Sequence, residues 1–227
     1  MLIVFEGVDG SGKQTHAELI YKRLAGEGKK IKRISFPDYK SDSSALVKMY
    51  LSGAFGQRPN DVNPYAASSF YAVDRIASYL ANWKADLQGG KMILADRYTT
   101  SNAVHQAGKL IGEKRDKYLD WLFDFEYNLL GLPNPDLVIF LSMPPKHSAG
   151  LISKRCNKAN GESEKDIHEK DFSYLNRAYN NALYVAKRFN WSIVNCVEEN
   201  SIRTIEDINN DIYNLIKETC KFEFHTD

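Results

Sequence analysis

The stretch of the chain that is richest in chemistry lies close to its start. Residues 7–13 read Gly-Val-Asp-Gly-Ser-Gly-Lys, the spacing of a phosphate-binding loop, between a short apolar run at 2–5 and a helical pattern. The glycines let backbone N–H groups converge on phosphate oxygens, and the N-terminus of the following helix adds partial positive charge. The spacing predicts a nucleotide-phosphate site in which Lys13 bridges the β- and γ-phosphates.

The lysine of this loop distinguishes a phosphate site from a glycine-rich turn that merely starts a helix. A cation at a helix N-terminus opposes the helix dipole unless an anion lies beside it, which favours the phosphate site. The next position usually holds a Ser or Thr whose hydroxyl ligates magnesium, and here it holds Gln14, followed by Thr15. Gln14 could offer a carbonyl oxygen and Thr15 a hydroxyl, and the sequence leaves open whether either ligates the metal.

Two charged residues follow a second apolar run. The run at 92–95 ends in Asp96-Arg97-Tyr98. A carboxylate at the end of a strand beside a phosphate loop is well placed to hold magnesium, directly or through water, and Arg97 offers a planar fork for phosphate. The alternative is a surface ion pair at a strand end, but the phosphate loop favours the functional roles.

A helix predicted after Asn63-Pro64 carries two different faces. Asn63 suits an N-cap and Pro64 the first helical position. An apolar stripe runs along the helix through Ala66, Phe70, Val73, Ala77 and Leu80. A second face, rotated by about 100°, carries Ser68, Tyr71, Arg75 and Ser78. Tyr71 and Arg75 could hold a base and a phosphate or belong to a solvated edge, and spacing alone favours the edge.

Two loops could flank such a site. In the turn 36–39, Phe36 and Tyr39 could line a mouth or merely hold a loop, and alone they favour the second. A polar loop further along contains the cations Lys154, Arg155, Lys158 and Lys165. A run of charges is usually a solvated face, but in a phosphoryl-transfer enzyme such a loop can close over the nucleotide and deliver a cation.

These candidates need a frame that brings them together. Apolar runs at 2–5, 92–95, 137–141 and 192–194, with a weaker one at 31–36, predict buried strands. Helical patterns lie between them, and one near the C-terminus begins with a capping box of Thr204 and Asp207. Alternating strands and helices predict a parallel sheet that is covered on both faces and binds ligands beyond the carboxyl ends of its strands.

The composition excludes several classes of protein. The 227 residues have a formal net charge of +1, so no global field indicates a nucleic-acid or membrane partner. A hydrophobic fraction of 43% with short apolar runs argues against disordered and membrane-spanning chains, and we expect one domain over residues 1–227. Three separated cysteines and a start unlike a signal peptide predict a protein of the reducing cytoplasm.

Taken together, the motifs resemble the thymidylate kinase family, and the resemblance runs nearly from end to end. It rests on residues 5–13, 36–37, 71–75, 96–98, 131–136 and 166–169. It implies an α/β fold of the P-loop NTPase type, a three-layer α/β/α sandwich with a five-stranded parallel sheet and a mobile lid at about 150–168.

The resemblance implies Mg²⁺-dependent transfer of the ATP γ-phosphoryl group to dTMP, giving dTDP and ADP, by a homodimer packed through long helices. The nearest alternative is a deoxynucleoside kinase or another nucleoside monophosphate kinase on the same scaffold. A nucleoside kinase needs a base for a neutral hydroxyl and no arginine pair, so Arg75 and Arg97 favour a monophosphate acceptor. A nucleotide-binding regulatory protein without turnover, which Gln14 would suit, is an alternative of a different class.

The resemblance also implies a role for each matching position. ATP would lie on Gly7, Val8, Asp9, Gly10, Ser11, Gly12, Lys13, Gln14 and Thr15. The acceptor would contact Phe36, Tyr39, Tyr71, Arg75, Arg97, Asn102 and His105. Magnesium would lie near Asp96 and Asp9. Catalysis would depend on Lys13, Asp9, Arg97 and a lid cation, first of all Arg155, because the loop has Ser11 where some members have an arginine.

Some of these implied roles are more detailed. Tyr71 would stack on thymine, Asn102 would face the base, and Arg75 would bind the base edge or the acceptor phosphate. His105 stands where an aromatic ring usually closes against the deoxyribose, and Asp9 would lie near the 3′-hydroxyl. The loop at 195–200, after the last strand, would approach adenine.

Overall fold

Strands and helices alternate along the chain, as the apolar runs predict. The computed structural model describes residues 1–152 and 172–221. In these ranges the strands are β1 (Leu2–Glu6), β2 (Ile31–Ser35), β3 (Met92–Asp96), β4 (Leu137–Ser142), β5 (Ser192–Asn195), β6 (Val197–Glu198) and β7 (Ser201–Ile202). The helices are α1 (Lys13–Gly26), α2 (Ala45–Leu51), α3 (Pro64–Ser78), α4 (Lys84–Gln88), α5 (Thr99–His105), α6 (Glu113–Phe123), α7 (Pro145–Ile152), α8 (Phe172–Arg188) and α9 (Ile205–Lys221). Two π-helical segments, Tyr79–Trp83 and Asp124–Leu129, follow α3 and α6 directly.

The first five strands form one parallel sheet in the order β2-β3-β1-β4-β5, which confirms the predicted α/β architecture. β1 lies at the centre, where Phe5 is paired with Asp96 on one side and Ile139 on the other. The carboxyl ends of β1 and β3 therefore lie side by side. This register brings the loop after Glu6 next to Asp96 and Arg97.

Helices cover both faces of the sheet. On one face, α1 and α9 contribute Ile20, Leu24, Ile208 and Ile212 to a core shared with the strands. On the other face lie α3, α5, α6 and α8, with Trp83 among the buried side chains. Within residues 1–152 and 172–221, no helix is both long enough and apolar enough to cross a membrane.

The last strand of the sheet is not buried, contrary to the prediction from the run at 192–194. β5 is an edge strand, and Ile193 is 43% exposed. An apolar run does not by itself distinguish a central strand from an edge strand, whose outer surface meets water. The expected loop at 195–200 contains β6 and the turn of the antiparallel hairpin β6-β7, where the φ angles of Glu199 and Asn200 are 46° and 63°.

Helix α3 begins as predicted, and the face that it presents to the interior is the polar one. The Asn63 side chain accepts a hydrogen bond from the Tyr65 amide at 2.8 Å, with Pro64 as the first helical residue. Most of the apolar stripe lies toward the surface: Val73 is 49% and Leu80 60% exposed, while Phe70 and Ala77 are half-buried. The buried face instead carries Ala67, Ser68, Ala72, Asp74, Arg75 and Ser78. Periodicity identified the two faces correctly but did not decide which of them is buried. The inner face is the polar one because it packs on polar groups.

Candidate functional site

The glycine loop after β1 has a backbone that requires glycine. Gly7, Gly10 and Gly12 have φ angles of 156°, 79° and 86°. A Cβ atom at Gly7 would lie 2.6 Å from Ser11 Oγ and 3.0 Å from the Leu141 carbonyl oxygen, so a side chain does not fit there. The loop therefore folds tightly between β1 and α1, as a phosphate cradle requires.

Lys13 is the first residue of α1, and its side chain folds back over the loop. Its Nζ donates to the carbonyl oxygens of Gly7 at 2.6 Å and Val8 at 2.9 Å. Burial lowers the pKa of Lys13 to about 8, and the positive charge of Arg97 adds to this effect, while three nearby carboxylates oppose it. Lys13 is thus a buried cation with a weakened hold on its proton.

Arg97 lies at the end of β3, between two carboxylates. Its Nη2 donates to Asp9 Oδ1 at 2.5 Å, and its Nη1 lies 3.8 Å from Glu6 Oε1. Burial alone would lower the pKa of Arg97, but these carboxylates, Asp9 first, outweigh burial and raise the pKa. The backbone φ angle of Arg97 is 70°, a value that residues other than glycine rarely adopt. Such backbone conformations cluster at functional sites.

Glu6 is a site residue that the sequence did not reveal. Its buried carboxylate accepts hydrogen bonds from the Gly7 amide at 2.9 Å, the Thr100 hydroxyl at 2.8 Å and the Ser101 hydroxyl at 2.7 Å. It ties the glycine loop to α5 and faces Arg97. The signal in the sequence was a charged residue that ends an otherwise apolar strand.

Arg75 is buried in an ion pair, so the interpretation of Tyr71 and Arg75 as a solvated edge is wrong for the arginine. Arg75 is 1% exposed, and its Nε and Nη2 both donate to the Glu126 carboxylate at 2.6 Å. Glu126 also accepts from the Thr99 hydroxyl at 2.7 Å and from the Asn102 amide at 3.3 Å. Burial alone would lower the pKa of Arg75, but the charge of Glu126 outweighs it and raises the pKa.

Glu126 is a second residue of the site that the sequence did not reveal. It lies in the π-helical segment Asp124–Leu129, which has no distinguishing mark in the sequence. Such segments are frequent at functional sites because they change the direction of a side chain within a helix. Asn102, which the sequence analysis did predict, lies in the same buried group and also donates to the Ser68 carbonyl at 3.4 Å.

The aromatic residues of the predicted acceptor side occupy two different environments. Phe36 is buried, with its ring centroid 6.1 Å from that of Tyr98, so it holds its loop in the core. Tyr39 and Tyr71 are half-buried and pack on a hydrophobic cluster that includes Tyr50 of α2. The rings of Tyr71 and Tyr50 meet edge-to-face, with 6.2 Å between their centroids. Neither ring is fully buried, in contrast to Phe36.

His105 lies on the other side of Arg97. It is buried at the end of α5, and its Nε2 lies 3.1 Å from Nη1 of Arg97. The predicted loop residues Gln14 and Thr15 are exposed and half-buried, respectively. The predicted cations Lys154, Arg155, Lys158 and Lys165 lie outside the described residues, as does most of the predicted lid.

The donor set beside the loop fits a magnesium ion that is held jointly with a nucleotide. In the described part of the chain, no three His, Cys, Asp or Glu side chains converge as a self-sufficient metal site. Mg²⁺ bound to a nucleotide needs only one or two carboxylates besides the phosphates and water. Asp96 is a buried carboxylate at the end of β3, and its charge acts on Lys13. Asp9 is half-buried and already holds Arg97.

Comparison with known proteins assigns this arrangement to a family. A family model described as "Thymidylate kinase" matches residues 5–212. This chain belongs to the thymidylate kinase family. It is therefore a nucleotide-binding kinase with the P-loop fold, and the glycine loop and five-stranded sheet agree with that assignment.

Several thymidylate kinases resemble the chain over most of its length. The thymidylate kinase of Mycobacterium tuberculosis is 30% identical over 172 residues, which cover 75% of this chain and 78% of the relative. A probable thymidylate kinase of Thermococcus gammatolerans is 30% identical over 224 residues, 96% of each protein. The human thymidylate kinase is 30% identical over 142 residues, 63% of this chain and 60% of the relative.

Proposed function

We propose that the protein transfers the γ-phosphoryl group of ATP to the 5′-phosphate of dTMP, giving dTDP and ADP. The observation that carries this proposal is the convergence of Lys13, Arg97 and Asp96 at one end of the sheet. A lysine for the donor phosphates, an arginine for a second anion and a carboxylate for a metal are what transfer between two phosphates needs.

The residues would act by positioning and by neutralising charge. An oxygen of the acceptor phosphate attacks the γ-phosphorus, and the bond to the β-phosphate oxygen breaks, so that ADP leaves. This oxygen is already ionised at neutral pH, and no side chain has to remove a proton. Lys13 would neutralise the β- and γ-phosphates, and Arg97, held by Asp9, would neutralise the acceptor phosphate. Magnesium, held through Asp96 with Asp9 nearby, would withdraw charge from the phosphate oxygens of ATP.

The acceptor is the first thing to test. We would measure ADP release from ATP and magnesium with dTMP, dUMP, dGMP, AMP and thymidine offered separately. We expect turnover strongly favouring dTMP and none on thymidine. Turnover on thymidine, or on a purine monophosphate instead, would contradict the proposed acceptor, and ATP binding without turnover on any acceptor would favour a regulatory protein.

The pH dependence of the reaction should report on Lys13. As the pH rises through about 8, the free enzyme loses the proton of Lys13 and with it the attraction for the phosphates of ATP. We expect kcat/KM for ATP to fall about tenfold per pH unit above this pKa. The variant Lys13→Arg keeps its charge, so its smaller kcat/KM should stay constant over the same range. An unchanged profile of the parent enzyme up to a pH of about 9.5 would contradict this origin.

A cation from the lid is proposed to complete the site. The glycine loop has Ser11 at the position where a catalytic arginine could stand. We therefore assign the role of the catalytic cation to Arg155, with Lys158 and Lys165 as the alternatives. We expect Arg155→Ala to lower kcat by about 10³-fold, while the KM for ATP changes little. Lys154→Ala is the neighbouring control. An unchanged kcat for Arg155→Ala would remove this residue from the mechanism.

The exposed stripe of α3 supports a homodimer. Side chains that repeat at alternating spacings of 4 and 3 form a continuous seam along a helix, and monomeric proteins seldom expose such apolar seams. A second copy of the chain, with the same seam on its own α3, would cover it by two-fold pairing.

Substitution within the seam tests the dimer. We expect the double variant Val73→Glu, Leu80→Glu to be a folded monomer in light scattering or sedimentation, because two like charges would face their copies across the two-fold axis. Ile205→Glu, at a similarly exposed position on the opposite layer, should leave the assembly unchanged. A parent protein that sediments as a monomer would contradict the proposal.

The thiols support a reducing compartment, and we propose the cytoplasm. Cys196 and Cys220 are both buried, and burial raises the pKa of Cys196 to about 12, so its thiol stays protonated and unreactive.

A further inference from the structure

The guanidinium of Arg97 is held on two sides by different groups. On one side, Nη2 donates to Asp9. On the other side, Nη1 lies 3.1 Å from His105 Nε2 and 3.4 Å from Ser101 Oγ. Ser101 and His105 are one turn apart on α5, so they present a single face of that helix to Arg97. A φ of 70° is unfavourable for a residue other than glycine, so the backbone conformation of Arg97 depends on the contacts that hold its side chain.

The directions of the hydrogen bonds that link His105 to Arg97 and Tyr174 follow from the arginine. A guanidinium can only donate, so Nε2 of His105 must accept, and the imidazole proton of this contact must be on Nδ1. Nδ1 lies 3.3 Å from the Tyr174 hydroxyl, which can accept from Nδ1–H. The same hydroxyl lies 3.5 Å from the His105 carbonyl oxygen, to which it can donate. All three contacts agree with one tautomer, the neutral Nδ1–H form.

Tyr174 is itself held in place. It is 2% exposed on α8, and its ring lies nearly parallel to that of His105, with 22° between their planes. Further along α8, the Asn181 amide donates to the carbonyl oxygens of Ala103 and Val104 at 2.8 Å each. α8 is therefore fastened to the end of α5 at two places, one of which determines the imidazole.

We propose that His105 is a positioning residue that acts through Arg97. Fixed by Tyr174 as the Nδ1–H tautomer, it holds Nη1 of Arg97 opposite Asp9, so that the guanidinium is presented in one orientation to the acceptor phosphate. This inference rests on the proposed function in one respect, the binding of the acceptor phosphate by Arg97. It differs from the sugar contact implied by the family resemblance, in which the ring at this position acts on the substrate directly.

Three variants separate this role from others. His105→Leu removes the nearer of the two acceptors for Nη1, whereas the amide oxygen of His105→Gln can replace Nε2. Tyr174→Phe removes only the hydroxyl that selects the tautomer, and Tyr184→Phe on the same helix, which loses a 2.6 Å hydrogen bond to Asp116, is the matched control. For each variant we would measure kcat, the KM values for dTMP and ATP, and the melting temperature.

We expect His105→Leu to raise the KM for dTMP about tenfold or more, the effect of losing a hydrogen bond to a charged group. The KM for ATP should stay within about twofold of the parent value. His105→Gln should restore most of the loss, Tyr174→Phe should show a smaller rise, and Tyr184→Phe none. A parallel loss of melting temperature, ATP affinity and dTMP affinity would overturn the proposal in favour of a merely structural role.

The tautomer can be observed without activity. Two-bond nitrogen–proton spectra of ¹⁵N-histidine-labelled protein distinguish Nδ1–H from Nε2–H, and the spectrum of His105→Gln identifies His105 among the 5 histidines. We expect the Nδ1–H form in the parent protein and a mixture in Tyr174→Phe. An Nε2–H form in the parent protein would overturn the proposal, since that nitrogen could not accept from Arg97.

Two further comparisons separate the possible failures. UMP and dUMP differ only in the 2′-hydroxyl, so a change in their ratio of kcat/KM in His105→Leu would show a direct sugar contact and overturn the proposal. We expect both values to fall equally. If Arg97→Leu raises the KM for dTMP while His105→Leu does not, the inference fails and the proposed function remains. If Arg97→Leu has no effect, the proposed role of Arg97 fails, and the inference with it.

Discussion

Replacement of Lys13 by methionine is expected to lower kcat by roughly 10³-fold without destabilising the protein. Lys13 is a buried cation whose pKa burial lowers to about 8, so at neutral pH the folded protein holds a charge that its surroundings disfavour. Methionine has a similar length and no charge. The melting temperature of Lys13→Met should therefore be unchanged or higher, measured beside single-turnover phosphoryl transfer.

A second lysine provides the control for this prediction. Burial lowers the pKa of Lys109 to about 8 as well, but its Nζ donates to the Tyr50 hydroxyl and the Val62 carbonyl, away from the glycine loop. Lys109→Met should change kcat by less than about threefold. A kcat of Lys13→Met within tenfold of the parent value, or a large drop in its melting temperature, would contradict the assigned role.

Glu126→Leu is expected to have the largest effect on stability. It leaves the guanidinium of Arg75 buried without its carboxylate, which costs about 3–5 kcal/mol in the free energy of unfolding. In a chain of this size we expect the melting temperature to fall by roughly 6–20 °C. Calorimetry, or circular dichroism at increasing temperature, measures the effect directly.

The matched variants distinguish a buried pair from ion pairs in general. The double variant Arg75→Met, Glu126→Leu removes both charges and should recover most of the lost stability, since an apolar pair of similar volume can replace a buried ion pair. Asp120→Ala breaks an exposed pair with Arg188 and should cost less than about 1 kcal/mol. A double variant as unstable as Glu126→Leu would contradict an electrostatic origin.

The sequence predicted those parts of the site that strand ends bring together. Gly7 and Lys13 lie in the loop after the run at 2–5, Asp96 and Arg97 directly follow the run at 92–95, and the register of a parallel sheet places the two strand ends side by side. Glu126 was out of reach because it meets Arg75 across 51 positions of sequence, through a π-helical segment without a sequence signature. Such a contact is fixed by the packing of α6 on α3 and not by any local pattern.

The two faces of α3 show a different limit. The apolar stripe was the stronger periodic signal, yet the polar face is the buried one, since it meets Glu126 and the hydroxyl groups around it. Hydrophobic patterning assigns a face to the core only if the core is apolar there. A buried polar site reverses the rule.

The position of the site on β1 and β3 also affects how the protein fluctuates. These two strands have a neighbour on each flank, and the Arg97 amide donates to the Phe5 carbonyl at 3.1 Å. Transient fraying of β2 or β5 at the sheet edges leaves this hydrogen bond intact, so it should open only when the central strands themselves separate. Local opening of an edge strand, for example before proteolysis, therefore leaves β1 and β3 paired, and we expect the Arg97 amide to exchange slowly with solvent.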